Sequence, residues 1–263
     1  MNQDKKIGAV ADLLANAWRD GGTAALPHPD DLPSNMTEAF QVQDALVAQL
    51  NYPVSGWKLG ITSRAGKQAA GLPHPMLGRL FTDFVKKAPA RFEFGAFRAP
   101  VIEGEFTFRI GEDLPPRAEP YSQDEVRNAV GAIVMGIDVA DTRWAGSPSP
   151  VVIAADNGGM GAFVVGEVLP GWQDLDLASL PVDVYFDGKL VGPTWTGDHR
   201  SSTEQLVAAL TWAANELSRR GFGLAAGDVV STGSPHEPVP AVPGAETVAR
   251  FGDIGEIRVT LEA

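Results

Sequence analysis

The chain has 263 residues, and 21 Lys and Arg against 33 Asp and Glu give it a formal net charge of −12. It contains no cysteine, which excludes disulfides, thiolate metal sites and a cysteine nucleophile. The negative charge argues against binding to nucleic acid, and 44% hydrophobic with 21% charged residues is typical of a globular chain rather than a disordered one.

The first fifty residues are predicted to be largely helical. Apolar residues at helical spacing indicate a first helix from about Gly8 to Asp20. A second helix is predicted to begin at Asn35, because Glu38 follows it at the spacing of a capping box. No apolar segment has the length of a signal-peptide core or a membrane span. We therefore expect a cytoplasmic protein that does not contact membranes.

From about residue 53 onward, Gly and Pro divide the chain into short segments. Strands are predicted at 56–62, 102–108, 131–139, 153–157, 161–167, 181–186, 189–193, 228–234 and 247–261. Helices are predicted at 65–70, 123–129 and 202–220. The dipeptide Asp187-Gly188 predicts a two-residue hairpin turn. The pattern predicts an α+β fold, with an N-terminal helical cap region at 1–75 and a mixed β body at 76–263.

Two glutamates lie two residues apart in the strand predicted at 102–108. Because side chains alternate along a strand, Glu103 and Glu105 project from one face, about 7 Å apart, while Gly104 and Phe106 face the other way. Like charges this close raise each other's pKa, and a hard divalent cation between them would remove the conflict. The alternative, favoured by the spacing alone, is a solvated strand face.

Two further charged residues lie in or beside apolar segments. Asp138 follows the apolar run 129–137, and the end of a buried strand is a common position for a site residue; alternatively, Asp138 caps a turn. Lys58 lies between Trp57 and Leu59 in a predicted strand. A buried lysine can serve as an acid or a base, although alternation equally permits Lys58 to face solvent.

Three loop segments carry further candidates, namely Asp156-Asn157-Gly158-Gly159, Gly197-Asp198-His199-Arg200 and Thr232-Gly233-Ser234. The first indicates a turn. His199, beside an acid and ahead of the long helix, is a candidate general acid or base. A glycine between two hydroxyls at a strand end can present backbone N–H groups to a carboxylate. For each segment, a plain turn or loop is the simpler alternative.

In this order, GWKLGITS, MLGRLF, VIEGEFTF, GIDVADTRW, AADN and GDVVSTGS resemble the hydratase/decarboxylase branch of the fumarylacetoacetate hydrolase superfamily. The resemblance runs from about Thr37 to the C-terminus, and the branch includes 2-oxopent-4-enoate hydratases and 4-oxalocrotonate decarboxylases. It implies a mixed β-sheet roll of that superfamily's C-terminal-domain type, with the catalytic body at 76–263. It also implies a homo-oligomer and a small-molecule 2-oxo acid as the substrate.

The resemblance also implies roles for particular residues. Mg²⁺ or Mn²⁺ would be held by Glu103, Glu105 and Asp138. Catalytic roles would belong to Lys58, Asp156 and His199, and substrate binding to Arg143, Asn157, Thr232 and Ser234. The branch usually has Glu at the third metal position, so Asp138 is one methylene shorter. Gly158-Gly159 and Asp198-His199-Arg200 also depart from the usual pattern.

These roles imply a metal-dependent lyase that adds water to a small 2-hydroxydienoate or 2-oxo-alkenoate through a metal-stabilised enolate. Lys58 is expected to move protons near the substrate carboxylate and 2-oxo group. Decarboxylation and C–C hydrolysis of a related 2-oxo acid share this chemistry and stay open as alternatives. A non-catalytic binding protein that kept the fold is a third.

Overall fold

A computed structural model gives the structure of the protein and describes residues 3–263. The helices are α1 (Gln3–Asp20), α2 (Met36–Leu50), α3 (Arg64–Ala70), α4 (Gln123–Ala129), α5 (Pro150–Ala155) and α6 (Thr203–Arg219). The strands are β1 (Val54–Gly60), β2 (Met76–Phe81), β3 (Val85–Lys87), β4 (Ala90–Glu93), β5 (Val101–Ile110), β6 (Val130–Ala140), β7 (Met160–Val168), β8 (Val182–Phe186), β9 (Lys189–Gly192), β10 (Val229–Ser231), β11 (Val239–Pro240), β12 (Glu246–Phe251) and β13 (Gly255–Glu262).

The strands form two mixed sheets. The larger sheet has the order β2-β1-β10-β5-β6-β7-β3, and β11 also pairs with β5. The smaller sheet has the order β4-β13-β12-β8-β9. Most neighbouring strands are antiparallel, but β1 pairs in parallel with β10, β3 with β7 and β13 with β4. The predicted α+β class with N-terminal helices is confirmed.

The two sheets pack against each other, and this contact fixes one face of β5. A Cβ atom on Gly104 would lie 2.9 Å from Ala249 and 3.0 Å from Val182 of the smaller sheet. The rings of Phe106 and Phe251 meet edge to face at 5.6 Å. The small and apolar face predicted for 102–108 therefore turns into the core, and the glutamate face turns the other way.

The N-terminal helices form a second core with α5 and β2. Leu14 of α1, Leu46 of α2 and Leu80 of β2 are fully buried in it. Strand β1, which falls within the predicted cap region 1–75, pairs with β2 and β10 inside the larger sheet. None of the helices in residues 3–263 is long and apolar enough to cross a membrane.

The local signals for helix ends and turns are confirmed. Asn35 accepts a hydrogen bond from the Glu38 N–H at the start of α2, and Ser202 caps α6 in the same way. Asp187 and Gly188 both have positive φ, 48° and 78°, which the hairpin turn between β8 and β9 requires.

One predicted strand is wrong. Residues 153–157 were expected to be extended, but α5 occupies Pro150–Ala155. The side chain of Ser149 accepts from the Val152 N–H, and Pro150 takes the first helical position. This N-terminal signal outweighs the β-branched residues that follow it, because cap and proline geometry favour a helix start whereas β propensity depends on context.

Candidate active site

Three carboxylates meet on the face of the larger sheet that turns away from the smaller one. Glu103 of β5 and Asp138 of β6 are direct partners in the antiparallel register, and Glu105 lies two residues further along β5. One oxygen atom from each carboxylate lies within 4.8 Å of the others. Side-chain alternation on β5 and the register with β6 are together sufficient to build this cluster.

Lys58 of β1 completes the cluster. Its Nζ lies 2.5 Å from Asp138 Oδ2, and both residues are buried, with exposed fractions of 4% for Lys58 and 0% for Asp138. The solvent-facing alternative for Lys58 is therefore excluded. Asp138 Oδ1 has no hydrogen-bond partner within residues 3–263.

Burial and mutual repulsion control the protonation of this cluster. Burial, reinforced by Asp138, raises the pKa of Glu103 to about 7, even though Lys58 opposes the shift. Burial followed by the charges of Asp138 and Glu103 raises the pKa of Glu105 well above its ordinary value. Burial lowers the pKa of Lys58, but the attraction of the carboxylates, above all Asp138, outweighs it and the net shift is upward.

The cluster fits a hard divalent cation. The atoms that it offers as metal ligands are carboxylate oxygens, which Mg²⁺ and Mn²⁺ prefer. Lys58 supplies one positive charge against three carboxylates, so the fully ionised cluster has an excess of negative charge that a divalent cation would offset. The free Oδ1 of Asp138 is an unsatisfied buried acceptor of the kind a cation would use.

The cluster opens into a cavity of about 280 Å³. Beyond Lys58 and the carboxylates, the walls are mainly apolar, with Ile61, Met76 and Ile153 among them. Gly158 and Gly159 form one edge of this cavity. A concave apolar site with a few convergent charged groups is the usual form of a small-molecule site.

Sequence reasoning missed His236, which contacts the backbone of β5 between Glu103 and Glu105. Its Nε2 accepts from the Gly104 N–H at 2.9 Å, and its Nδ1 donates to the Glu237 carbonyl at 2.8 Å. Burial lowers the pKa of His236, which matches the neutral ring that this pairing needs. The position of His236, two residues after the singled-out Ser234, was the available signal.

The segment after β10 contacts the cluster from another side. The Gly233 N–H donates to Glu105 Oε2 at 2.8 Å, as expected for a glycine at a strand end that presents N–H groups to a carboxylate. Thr232 donates its hydroxyl to the Phe106 carbonyl. Ser234 lines a second cavity that adjoins Glu103, and it donates its hydroxyl to the His236 carbonyl.

His199 lies further out. It lines a small crevice that also contains Thr232 and Ser234, and its ring packs against Trp195 at 5.3 Å. It does not line the cavity that holds the carboxylate cluster. A direct proton transfer between His199 and a substrate held at the carboxylates therefore has no support in this geometry.

Asp156 and Arg143 lie behind the cavity wall. Asp156 accepts hydrogen bonds from Trp18 Nε1 at 3.1 Å, from the Thr142 hydroxyl at 2.8 Å and from the Arg143 N–H at 2.5 Å. The Arg143 guanidinium stacks on Trp18 and donates to the backbone carbonyls of Asp141 and Met160. Neither residue lines the carboxylate cavity, so the geometry favours a structural role over the predicted chemical ones.

Asn157 also acts on the backbone. Its side chain accepts from the Arg79 N–H at 2.8 Å and donates to the Arg79 carbonyl at 2.9 Å, which ties the turn after α5 to β2. A Cβ on Gly78 would lie 2.3 Å from the Asn157 carbonyl oxygen. Gly158 packs on Gly78 with a φ of 68°. The close approach and the left-handed turn together explain the glycine at 158.

The chain is similar to known enzymes over most of its length. "2-keto-4-pentenoate hydratase 1" of Dechloromonas aromatica (strain RCB) is 30% identical over 234 residues, 86% of each chain. "4-oxalocrotonate decarboxylase" of Pseudomonas sp is 25% identical over 258 residues, 96% of each chain.

A solved structure, "4-oxalocrotonate decarboxylase from Pseudomonas putida G7 - complexed with magnesium and adipate", superposes with a TM-score of 0.82. It is 21% identical and covers 98% of this chain and 97% of that one. At this identity the likeness shows a shared fold.

The family described as "Fumarylacetoacetate (FAA) hydrolase C-terminal" matches residues 85–262. The match spans more than half of the chain and contains both carboxylate-bearing strands, β5 and β6. The chain therefore belongs to the fumarylacetoacetate hydrolase family.

Proposed function

We propose that this protein is a divalent-metal-dependent hydro-lyase that adds water to a small 2-hydroxydienoate or 2-oxo-alkenoate. The observation that carries the proposal is the ion-paired Lys58 among the carboxylates Glu103, Glu105 and Asp138 in a cavity of about 280 Å³. The relatives named 2-keto-4-pentenoate hydratase support it.

The metal would be held by Glu103, Glu105 and Asp138. Mg²⁺ or Mn²⁺ bound there would supply positive charge that stabilises the negative oxygen developing at C2 of the substrate. The Glu103–Asp138 register and the Gly233–Glu105 hydrogen bond support this assignment, because they place the three carboxylates side by side.

Lys58 is the proposed acid and base. Hydration of a 2-hydroxy-2,4-dienoate first moves the C2 hydroxyl proton to C5, which gives a conjugated 2-oxo acid. Water then adds across the remaining double bond, with its hydroxyl at C4 and a proton at C3. Among the described residues, Lys58 is the one cationic side chain that lines this cavity. Asp138, 2.5 Å away, holds the ammonium group toward the cluster.

The remaining predicted residues would act around this centre. Asp156, Asn157 and Arg143 would position the turn and strand behind the cavity through their backbone hydrogen bonds. Ser234 would shape the adjoining polar side. Thr232, which lines the neighbouring crevice, would anchor this segment through its hydrogen bond to the Phe106 carbonyl. Four further points stay predictions: that the protein is a homo-oligomer, that it is cytoplasmic, that its substrate is a 2-oxo acid and that it does not bind nucleic acid.

Decarboxylation of a 2-oxo diacid is the second candidate. It is favoured by the relative named 4-oxalocrotonate decarboxylase, which aligns over 96% of each chain. Both reactions need negative charge stabilised at the C2 oxygen, so the carboxylate cluster by itself does not separate them.

Product analysis tests the proposal directly. The purified protein is incubated with 2-hydroxypentadienoate and with 2-hydroxyhexadienedioate, in Mg²⁺ or Mn²⁺ and in chelator, and the products are followed by NMR. We expect metal-dependent appearance of a 4-hydroxy-2-oxo acid from the first substrate. Loss of CO₂ from the second as the dominant reaction would favour the decarboxylase instead.

A matched pair of variants controls for general damage to the protein. Glu103→Gln removes a proposed ligand, whereas Glu119→Gln makes the same change at an exposed position outside the cavity. Turnover that is equal with and without metal, or undiminished by Glu103→Gln, would contradict a metal-dependent reaction at this site.

A further inference from the structure

The cleft around Glu103 has two lobes. The apolar lobe is the cavity of about 280 Å³ that contains Lys58 and has Met76 and Ile153 in its wall. The polar lobe, of about 180 Å³, has Ser63 and Ser234 in its wall, together with Trp195 and His236. The two lobes share three wall residues, which are Gly60, Ile61 and Glu103.

Ile61 occupies this shared wall in an unusual backbone conformation. Its φ is 58°, in the left-handed region that β-branched residues avoid for steric reasons. Such conformations persist where the surrounding structure enforces them, and they concentrate at functional sites. A glycine would adopt this backbone without strain, so the local turn alone does not account for isoleucine here.

The residues after Ile61 show what holds the turn. The Thr62 hydroxyl donates to the Thr232 carbonyl at 2.6 Å, and Lys67 Nζ donates to the Thr62 carbonyl at 2.9 Å. The Gly66 backbone lies beside Ile61, and a Cβ there would be in ordinary van der Waals contact with Ile61 Cγ2, at 3.5 Å. The strained residue is therefore fixed between the lobes.

The two lobes differ in how well they can stabilise a second carboxylate of the substrate. Within the described residues, the apolar lobe has no cationic side chain besides Lys58, whose Nζ already pairs with Asp138. A second carboxylate placed there would be buried without a partner, which is strongly unfavourable. The polar lobe offers the hydroxyl of Ser63, whereas the hydroxyl of Ser234 already donates to the His236 carbonyl.

We propose that Ile61 is a specificity-determining residue that confines the substrate tail to the apolar lobe and thereby selects an uncharged tail over one ending in a second carboxylate. This inference rests on the proposed function, because it places the 2-oxo acid head at the carboxylate cluster. Its consequence is that removal of the Ile61 side chain joins the lobes and admits the diacid.

Two substrates and two binding probes test this selectivity. For turnover, kcat/KM is measured with Mg²⁺ on 2-hydroxypentadienoate and 2-hydroxyhexadienedioate. For binding without chemistry, the Kd of 2-oxopentanoate and 2-oxohexanedioate is measured by calorimetry. We expect wild-type protein to prefer the uncharged member of each pair by roughly 100-fold, and Ile61→Gly to reduce that preference at least about 10-fold.

Two further variants make the outcome specific. Asn51→Gly also replaces a left-handed residue, with φ of 53°, by glycine, but it lies at the end of α2 outside both lobes, and it should keep the wild-type preference. Ile61→Asn tolerates the left-handed backbone and keeps a side chain of similar size, but its amide N–H can donate to a second carboxylate. It should therefore also favour the diacid relative to wild type, and it serves if Ile61→Gly does not fold.

The inference is overturned if wild-type protein prefers the diacid, or if folded Ile61→Gly and Ile61→Asn keep the wild-type preference in both measurements. Failure of the proposed function gives a different result. In that case neither dienoate is turned over in Mg²⁺ or Mn²⁺, while the Kd ratio of the two unreactive 2-oxo acids still decides whether Ile61 separates the lobes.

Discussion

Lys58 Nζ lies 2.5 Å from Asp138 Oδ2, although two strands separate β1 from β6 in the larger sheet. With neighbouring strands about 4.8 Å apart, three spacings in a flat sheet would place these backbones roughly 14 Å from each other. The twisted sheet must therefore curl so that side chains on its inner face converge. The ion pair is a product of this curvature.

Replacement of Lys58 by methionine should abolish most turnover. Methionine keeps the length of the side chain but can neither donate nor accept the proton, and loss of a positioned acid–base group costs about 10²–10⁴-fold in kcat. Metal affinity should be retained or rise, because Lys58 competes for Asp138. Steady-state kinetics and calorimetric metal titration measure the two effects.

Lys87→Met is the matched control, since Lys87 is exposed on β3. It should leave both kcat and metal affinity unchanged. Full activity of Lys58→Met would exclude Lys58 as the acid–base group.

Saturating Mg²⁺ or Mn²⁺ should stabilise the fold. A ligand at 100 times its Kd adds about 2.7 kcal/mol, which corresponds to a rise in Tm of roughly 5–10 °C for a chain of this size. Asp138→Asn should remove most of this rise, because it replaces a buried carboxylate by a neutral amide. Thermal unfolding with metal and with chelator measures it, and an undiminished rise in the variant would place the cation elsewhere.

Metal affinity should fall as the pH drops below about 7. The pKa of Glu103 is raised to about 7, chiefly by burial and then by Asp138, so at pH 6 a cation must displace a proton, whereas at pH 8 it meets a carboxylate. Calorimetry in buffers of different ionisation enthalpy should show more proton release at pH 6 than at pH 8. Equal affinity at both would contradict the raised pKa.

The same shift predicts the pH dependence of stability without metal. A carboxyl group whose pKa is higher in the folded than in the unfolded state binds its proton more tightly when folded. The Glu103 contribution should therefore destabilise the fold progressively as the pH rises from the ordinary glutamate range to about 7, and should be constant above that. Urea unfolding of wild type and Glu103→Gln between pH 5 and 8 measures the difference.

His236→Phe should destabilise the protein and weaken metal binding. It leaves the buried Gly104 N–H without its acceptor, which costs about 1–3 kcal/mol, and it loosens β5 between Glu103 and Glu105. His236→Gln, which keeps an acceptor, should cost less. Urea midpoints measure the loss of stability, and metal Kd values measure the loss of affinity. His28→Phe, at an exposed position, is the control.

Asp156→Asn separates a structural role from a catalytic one. Asp156 is buried, accepts three hydrogen bonds and lies close to the Arg143 charge. Removal of the Asp156 negative charge should lower the free energy of unfolding by about 3 kcal/mol. The kcat of the folded fraction should stay within a few-fold of wild type. A large drop in kcat at unchanged stability would restore the predicted catalytic role.

Features that depend on neighbouring residues were predictable from the sequence. Helix starts at Asn35 and Ser202 follow from a side chain that reaches a backbone N–H three residues away. The shared face of Glu103 and Glu105 follows from the period of a strand. The error at α5 has the same local origin, because two local signals conflicted and the Ser149-Pro150 start outweighed the β-branched residues.

The sequence by itself determined the family, the α+β class and the residue types of the proposed oxygen-only cation site. The tertiary structure decided which of those residues meet. The β5–β6 register sets Asp138 opposite Glu103, the curl of the sheet brings Lys58 to Asp138, and His236 fixes the strand from behind. These contacts join residues distant along the chain, so their geometry depends on how the strands pair and pack, which no local pattern encodes.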